Sequence, residues 1–406
     1  MNFSFRLEKC DKKTHARAGI IYTPHGEIRT PSFSPVATKA VVKSVDNDDL
    51  MKAKTQVILA NAYHLFLKPG LSVIKEFGGF GSFMGWEGPT ITDSGGYQVS
   101  FLWSKKSNLA EEHKGSKPLI NFGGNKVHIT DRGMYFNSHI DGSRYLFTPE
   151  VSIGIQRTLG ADIIMAFDQP MGNSLGEKKN NEAYERSYKW EEKSLKCWKE
   201  NKCLSLYGSE QALFGIIQGE RDKKKRRSFL KFILEMDFPG IAIGGESIGA
   251  SPKITAETLD AICDLIPCDK PLHALGLGGG PEGVFEAIEQ GVDIFDNSSV
   301  TRMARCGLLF IAPSDGGDTD NKFRLNIFKS VNSKSKKKIS SACNCYTCTN
   351  YSRGYLNHLL TSGEILGARL ASIHNIYFYN DLMDKIRNSI INNDFQSLKK
   401  EWVGRI

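Results

Sequence analysis

Eight short apolar segments, separated by stretches of helical periodicity, constrain the fold of this chain more than any other feature. The apolar segments span residues 31–37, 56–61, 89–93, 162–168, 212–218, 240–245, 271–276 and 292–296. Helical segments lie between several of them, at residues 183–200, 222–236, 256–265 and 281–290. Short β-rich runs that alternate with helices form parallel βα units. Eight such units predict an α/β fold, a closed (β/α)8 TIM barrel.

The size and charge of the chain indicate the class of protein and of partner. With 406 residues, of which 40% are hydrophobic, the chain can bury the core of one large barrel. It contains no apolar run of about 18 residues, and its N-terminus lacks an apolar signal core, so we expect a cytoplasmic protein without a membrane span. The net charge of +8, with basic runs at residues 223–227 and 334–338, favours a polyanionic partner such as a nucleic acid.

Two segments interrupt the alternation and divide the chain. The predicted barrel occupies residues 1–313 and includes a β excursion around residues 104–146. A basic, polar connection is expected at residues 314–340. A zinc-binding subdomain with a helix is predicted at residues 341–390, and a C-terminal tail at residues 391–406.

A cysteine cluster predicts a metal site near the C-terminus. Three of the nine cysteines, Cys343, Cys345 and Cys348, lie close together, which is typical of metal binding rather than of disulfides. A later helical stretch, residues 359–377, carries His374. Three thiolates and one imidazole complete a tetrahedral zinc site without an open position, so we expect one structural Zn2+ per chain. His358 is the rival fourth ligand.

Polar residues and a glycine end most of the predicted barrel strands. They are Asn61, Asp93, Asp168, Gln218, Gly245 and Asp296. The carboxyl ends of barrel strands meet at one mouth, where such enzymes carry their sites. Turns alone account for some of these positions, but three aspartates and a glutamine at equivalent ends predict a functional site. Asp296 follows a short apolar run, where a carboxylate is costly to desolvate, and we interpret it as a nucleophile.

The residues at this mouth suit a flat heterocycle that is joined to a sugar. Hydrogen bonds to such a ring are expected from Asp168, Gln218 and the backbone of Gly245. Gly95 and Gly96 let backbone and ligand approach closely, and Tyr97 can stack on the ring. Asp93 and Asp296 then remain to act on a bond, one as nucleophile and one as proton carrier, as in retaining glycosidic chemistry. Together with the basic surface, this predicts action on a nucleoside within a nucleic acid.

Ordered motifs along most of the chain resemble the tRNA-guanine transglycosylase (queuine tRNA-ribosyltransferase) family. They are NAYHL at 61–65 with KPG at 68–70, TDSGGYQ at 92–98, SHIDGSR at 138–144, MAFD at 165–168, QG at 218–219, IGG at 243–245, GVDIFD at 291–296, and the cysteine cluster with His374. Several dispersed motifs in order are far more specific than a single glycine-rich loop. The resemblance implies a (β/α)8 barrel with a zinc-bearing insertion near the C-terminus.

The resemblance also implies an activity, that of a pentosyltransferase. Members exchange guanine at the wobble position of tRNA for a 7-deazaguanine, such as 7-aminomethyl-7-deazaguanine or queuine, by double displacement. Asp296 matches the family's nucleophile, which attacks C1′ of the ribose, expels guanine and forms a covalent RNA intermediate. Asp93 matches the residue that moves the proton to and from the exchanging base.

The same resemblance implies which residues bind the base and the RNA. The base-binding set is Ser94, Gly95, Gly96, Tyr97, Asp168, Gln218 and Gly245, with Tyr97 stacking on the ring. Thr301, Arg302 and Arg305 match a segment that recognises anticodon bases. The anticodon loop of tRNA is therefore the expected polymer, since its bases leave their stack easily. We expect a homodimer, with a heterodimer containing a paralogous subunit as the alternative.

Some positions depart from the family pattern and leave alternatives open. They are Gln169-Pro170, Glu246, Ala250 and residues 297–300. The first three leave the incoming base open among 7-aminomethyl-7-deazaguanine, its nitrile precursor, queuine or another base. The last leaves room for a paralogue that acts on DNA or another RNA. A non-catalytic RNA-binding subunit is disfavoured because both Asp93 and Asp296 are present, and a barrel glycoside hydrolase fits the cysteine cluster and positive charge poorly.

Overall fold

The structure is a computed structural model that describes residues 3–101, 127–172, 175–245 and 248–404. Its strands are β1 (Ser4–Cys10), β2 (Arg17–Thr23), β3 (Gly26–Thr30), β4 (Ser32–Ser34), β5 (Val36–Ala37), β6 (Ile58–Ala60), β7 (Thr90–Thr92), β8 (His128–Thr130), β9 (Gly133–Asn137), β10 (Arg144–Phe147), β11 (Ile163–Met165), β12 (Ala212–Ile217), β13 (Gly240–Ile243), β14 (Leu272–Ala274), β15 (Ile294–Asp296), β16 (Leu308–Phe310) and β17 (Arg324–Asn326).

Helices follow most barrel strands. They are α1 (Asn47–Lys52), α2 (Ala62–Leu65), α3 (Leu71–Glu76), α4 (Phe80–Met84), α5 (Gly96–Phe101), α6 (Pro149–Leu159), α7 (Glu177–Glu200), α8 (Lys223–Glu235), α9 (Pro252–Asp260), α10 (Gly280–Glu289), α11 (Ser299–Arg305), α12 (Tyr346–Asn350), α13 (Arg353–Thr361), α14 (Ile365–Ile391) and α15 (Phe395–Val403). No helix within the described ranges is long and apolar enough to cross a membrane.

The central sheet is a closed barrel. Its strand order is β4-β15-β14-β13-β12-β11-β7-β6-β5, and every neighbouring pair is parallel. The two ends of this order, β4 and β5, are halves of one segment that is interrupted at Pro35. The sheet therefore closes on itself as eight strands, one from each predicted apolar segment. This confirms the predicted (β/α)8 barrel.

Burial on both faces explains why the barrel strands are apolar runs rather than alternating ones. Every residue of β12 and of β13 is buried. Leu59, Ile91, Met165, Phe214 and Ile294 belong to a buried cluster inside the barrel. The residues that alternate with them along the strands belong to the larger cluster between the barrel and its helices. Some of the helices begin at capping side chains, as α8 does at Asp222 and α9 at Ser251.

Smaller sheets lie outside the barrel. An antiparallel sheet of β1, β2 and β3 precedes it, and an antiparallel sheet of β8, β9 and β10 lies between β7 and α6. The β excursion expected around residues 104–146 includes this second sheet, while residues 102–126 lie outside the described residues. Within residues 314–340, β17 pairs with β16.

The C-terminal part packs against the barrel through its helices. The helical stretch expected at residues 359–377 forms two helices, α13 and α14, which are separated by a turn at Gly363 with a φ of 73°. The 27-residue helix α14 packs against α11, β16 and β4. In the predicted C-terminal tail, α15 buries Phe395 and Trp402. The proposed domain boundaries remain predictions.

Candidate active site and metal centre

Five barrel strands end in candidate site residues. Asp93 directly follows β7 and Gln218 directly follows β12, whereas Asp296 is the last residue of β15. Asp168 and Gly245 lie a few residues beyond β11 and β13. Because all these strands are parallel members of one closed sheet, the structure brings the five residues to the same mouth of the barrel.

Three hydrogen-bond donors surround the carboxylate of Asp93. Asn61 Nδ2 donates to Oδ2 over 2.5 Å, and the backbone N–H of Ala62 donates to Oδ1 over 2.8 Å. Gln98 Nε2 donates to Oδ2 over 3.1 Å. Although the residue as a whole is only partly buried, desolvation of the carboxyl group, aided by the charge of Asp296, raises the pKa of Asp93 to about 7 despite these donors. Such a group can give up and regain a proton near neutral pH.

The carboxylate of Asp296 is held from the neighbouring strand β14 and the residues after it. His273 Nε2 lies 3.1 Å from Oδ1 of Asp296, and the backbone N–H of Gly276 donates to the same oxygen over 3.0 Å. Both hydrogen bonds to described residues involve Oδ1, so Oδ2 is the oxygen available to a ligand. Asp296 is 9% exposed, as expected for a side chain that lines a narrow mouth.

Asp168 and Gln218 form a buried hydrogen-bonded pair. Gln218 Nε2 donates to Oδ2 of Asp168 over 2.6 Å, and Gln218 Oε1 accepts from the backbone N–H of Met171 over 3.4 Å. Burial raises the pKa of Asp168 to about 7, although hydrogen bonds from Gln218 and Ser94 lower it. The pair presents an acceptor and an amide at the barrel mouth, which suits the edge of a purine-like ring.

The glycines of the TDSGGYQ segment allow close approach at the mouth. A Cβ at Gly96 would lie 2.8 Å from the backbone oxygen of Asp168, and Gly95 has a φ of 79°. The Oγ of Ser94, which is buried, accepts a hydrogen bond from the N–H of Gly96 over 3.3 Å. Tyr97, the next residue, is 53% exposed, so much of its ring is accessible beside the pocket.

The candidate RNA-binding residues lie on α11, which begins three residues after Asp296 in the sequence. Arg302 is exposed and Arg305 is partly buried, whereas Thr301 is buried and does not present its side chain to solvent. Asn297 precedes the helix, and its Oδ1 accepts a hydrogen bond from the N–H of Ser299 over 2.7 Å. Residues 297–300, which depart from the family pattern, therefore form a short turn and the first two residues of α11.

Four buried side chains could hold a metal ion. The ligand atoms of Cys343, Cys345, Cys348 and His374 all lie within 4.8 Å of one another. The sulfur atoms lie 3.7, 3.6 and 3.4 Å, in that order, from Nδ1 of His374. These separations suit a tetrahedral ion with three thiolates and one imidazole. Nε2 of His374 donates to the backbone oxygen of Phe310 over 2.7 Å, while Nδ1 faces the three sulfur atoms.

Asn375, which follows His374 in α14, forms hydrogen bonds to the backbone of α11 and β16. Asn375 Nδ2 donates to the backbone oxygens of Val300 and Leu308, each over 3.1 Å. Its Oδ1 accepts from the N–H of Phe310 over 3.0 Å. The helix that carries His374 is thus hydrogen-bonded to α11 and β16. None of the nine cysteines, all of which lie in described parts of the chain, forms a disulfide.

Several residues at the mouth were not singled out from the sequence. His273 interrupts an otherwise apolar run, PLHALG, and that interruption was a usable signal. The N–H groups of Ala62 and Gly276 carry no side-chain signal at all. Among the departures, buried Gln169 accepts from Arg186 Nη1 over 2.5 Å and Ala250 is exposed, whereas Glu246 lies outside the described residues.

The fold and this arrangement define a barrel protein with its candidate active site at the carboxyl ends of the strands and four potential metal ligands clustered in its C-terminal part. Residues 10–406 match the family model described as Queuine tRNA-ribosyltransferase. A queuine tRNA-ribosyltransferase of Desulforudis audaxviator is 38% identical over 403 residues, which cover 99% of this chain and 98% of the relative. A relative of the same name in Roseiflexus sp. is 38% identical, and the match covers 100% of this chain and 100% of the relative. Another, in Caldanaerobacter subterraneus, is 39% identical, and the match covers 98% of this chain and 96% of the relative. The chain belongs to the queuine tRNA-ribosyltransferase family.

Proposed function

We propose that the protein is a tRNA-guanine transglycosylase, a pentosyltransferase that exchanges guanine at the wobble position of tRNA for a 7-deazaguanine. The observation that carries this proposal is the pairing of two carboxylates at one mouth. Oδ1 of Asp296 is fixed by two hydrogen bonds, and the pKa of Asp93 is raised to about 7 by burial, with a contribution from the charge of Asp296. Family membership and the net charge of +8 support a nucleic-acid substrate.

The two carboxylates have separate roles in a double displacement. Oδ2 of Asp296 attacks C1′ of the target ribose while the bond from C1′ to guanine breaks, which leaves a covalent ester between the enzyme and the RNA. Asp93 in its neutral form donates a proton to the departing guanine. It then accepts a proton from the incoming base as that base attacks C1′ and displaces Asp296.

The base lies among the groups that match the edge of a guanine ring. Asp168 accepts hydrogen bonds from the N1–H and the exocyclic amine, and Gln218 with the N–H of Gly245 donates to the carbonyl oxygen. Gly95 and Gly96 let the ring approach the backbone, beside Ser94, and Tyr97 stacks on one face. The same set accommodates 7-deazaguanines because substitution at atom 7 leaves this hydrogen-bonding edge unchanged.

Three further assignments concern the RNA, the metal and the cellular compartment. Thr301, Arg302 and Arg305 on α11 recognise the anticodon loop, with buried Thr301 acting through the helix backbone. The metal is one structural Zn2+, held by Cys343, Cys345, Cys348 and His374, because three thiolates and an imidazole in a closed set are typical of zinc. Nine reduced cysteines suit the cytoplasm.

A homodimer is the assembly we propose. Val331 and Ile365, which lie on segments that contact α13, are 76% and 84% exposed. Exposed apolar side chains belong to a protein interface when they form a contiguous patch, and Ile365 has the highest exposure among the large hydrophobic residues of the described chain. Sedimentation of the wild type and of Ile365→Asp tests the proposal, since a monomeric wild type would contradict it. A mass equal to two different subunits in the native host would instead support the heterodimer.

Incorporation of labelled guanine tests the activity itself. We expect the wild type to incorporate guanine into tRNA but not into a DNA hairpin of the same loop sequence. Asp296→Asn should neither incorporate guanine nor form a covalent RNA complex that survives denaturing electrophoresis. The exposed Asp269→Asn serves as a matched control and should behave as the wild type. Absence of exchange by the wild type with either polymer would contradict the proposed function, and exchange by Asp296→Asn would remove Asp296 as the nucleophile.

A further inference from the structure

One buried arginine joins the two backbone segments that carry base-binding groups. Arg226 Nε donates to the backbone oxygen of Glu220 over 2.7 Å, and Nη1 donates to that of Ile217 over 3.2 Å. Nη2 donates to the backbone oxygen of Gly244 over 3.0 Å. Ile217 immediately precedes Gln218 in the chain. The guanidinium group of Arg226 therefore connects the end of β12 to the turn that follows β13.

Burial of the Arg226 guanidinium costs desolvation free energy, which these hydrogen bonds offset. The residue is 0% exposed, and burial lowers the pKa of its guanidinium to about 10, opposed by the charge of Glu220. A desolvated guanidinium needs well-placed acceptors, and its planar fork can bind several carbonyls at fixed angles. A lysine has a single ammonium group at this distance and cannot reach three separate carbonyls in the same geometry.

The backbone turns around Arg226 contain residues with positive φ, which neighbouring contacts must hold in place. Glu220 has a φ of 47°, which is unfavourable for a residue with a side chain, and Gly219 and Gly245 have φ values of 134° and 105°. A Cβ at Gly219 would lie 2.8 Å from the backbone nitrogen of Arg226. A Cβ at Gly245 would lie 2.4 Å from Oε1 of Glu220. Both turns are thus packed closely around the same arginine and its neighbouring carboxylate.

We propose that Arg226 is a positioning residue of the base pocket. It holds the amide of Gln218 and the backbone of Gly245 at the separation that a guanine-type edge requires, without touching the base itself. This proposal rests on the proposed function, because it concerns binding of the free base. The three hydrogen bonds of Arg226 hold the segments that carry Gln218 and Gly245, not the carboxylates of Asp93 and Asp296. Arg226 should therefore affect recognition of the base more than bond breaking.

The test compares two buried arginines that hold backbone carbonyls at opposite ends of the barrel. Arg17 donates to the backbone oxygens of Pro267 and Lys270, each over 2.9 Å, and pairs with Asp293, which precedes β15. Steady-state exchange of labelled guanine is measured for the wild type, Arg226→Lys and Arg17→Lys. Thermal unfolding of each variant is recorded in parallel, since both substitutions should lower Tm.

We expect Arg226→Lys to raise KM for guanine about tenfold or more, since at least two hydrogen bonds of a charged donor are lost. The KM for tRNA and the kcat at saturating guanine should change less than about threefold. A tenfold change in either would require the loss of about one hydrogen bond of a charged donor, and the substitution removes none from the tRNA or from the reacting carboxylates. Arg17→Lys should leave both KM values at the level of the wild type. An Arg226→Lys enzyme with the same KM for guanine as Arg17→Lys would overturn the proposal. If the wild type is inactive, the proposed function fails, a result distinct from unequal KM values among active variants.

Discussion

The imidazole of His273 lies inside the barrel with Nε2 3.1 Å from Oδ1 of Asp296. His273 is fully buried, and its Nδ1 makes no hydrogen bond within the described part of the chain. A carboxylate oxygen accepts in such a contact, so Nε2 of His273 is the donor. The contact holds Oδ1 of Asp296, whereas no hydrogen bond from the described residues holds Oδ2.

Replacement of His273 by phenylalanine should therefore impair chemistry rather than folding. We expect kcat for guanine exchange to fall roughly ten- to a hundredfold, since a hydrogen bond to a charged group contributes about 1.5–3 kcal/mol. The Tm should be unchanged or higher, because the substitution also removes a buried nitrogen without a partner. Steady-state kinetics and thermal unfolding measure both effects. An unaltered kcat would show that the N–H of Gly276 alone orients Asp296.

Formation of the covalent RNA complex should depend on pH through Asp93. The neutral acid is the form that donates a proton to the departing guanine, and the pKa of Asp93 is raised to about 7. The single-turnover rate should be constant at low pH and should fall about tenfold for each pH unit above 7. Quenched samples on a denaturing gel give this rate. Asp93→Asn should be slower at every pH and should lack this descending limb; a limb that persists in Asp93→Asn would assign it to another group.

Asp168→Asn should weaken binding of the base and should raise the stability of the protein relative to the wild type at high pH. The pKa of Asp168 is raised from 3.8 to about 7 in the folded protein, mainly by burial. The folded state therefore holds the proton more tightly, and the stability that this provides is present at low pH and lost as pH rises through 7. Asparagine cannot ionise, so its advantage over the wild type should grow by about 2–3 kcal/mol between pH 5 and pH 8.

Urea unfolding at the two pH values measures this difference, and the KM for guanine measures the loss of base binding. The exposed Asp269→Asn provides a control in which the difference between pH 5 and pH 8 should match that of the wild type. An Asp168→Asn protein whose advantage is the same at both pH values would show that Asp168 is already ionised at pH 5.

Removal of the metal should destabilise the C-terminal helices. We expect one Zn2+ per chain by elemental analysis, and a loss of the ion in both Cys345→Ser and His374→Ala because each removes one of four ligands. Chelation of the wild type should lower Tm, since ion binding to the folded site contributes to stability. His358→Ala, which alters the rival histidine, should retain the metal. Metal loss in His358→Ala but not in His374→Ala would contradict the assigned ligand set.

The barrel was predictable because both faces of its strands are buried, which produces continuous apolar runs that stand out from the helical segments. The interruption of the first strand at Pro35 was not, since a short segment gives too little pattern to separate β4 from β5. The break between α13 and α14 was also missed. Leu359 and Leu366 keep a helical spacing across the turn at Gly363, so hydrophobic periodicity alone could not detect it.

The position of the candidate site was predictable where its side chains lie at the ends of strands. Asp93, Asp168 and Gln218 end strands of one barrel, and that topology is sufficient to bring them together. The donors that orient the carboxylates could not be predicted in the same way, because the N–H groups of Ala62 and Gly276 are present at almost every residue. Arg226 was equally obscure, since it lies within a basic run, KKKRR, whose other members face solvent more than it does.

Two adjacent residues of α14 make different contacts: His374 lies among Cys343, Cys345 and Cys348, and Asn375 donates to the backbone of Val300 and Leu308. Both residues also bond to the backbone of Phe310, so α14 joins the four-residue cluster to α11 and β16 within two consecutive positions. A variant unable to hold an ion in this cluster should therefore show an altered placement of α11 although no residue of α11 has been replaced.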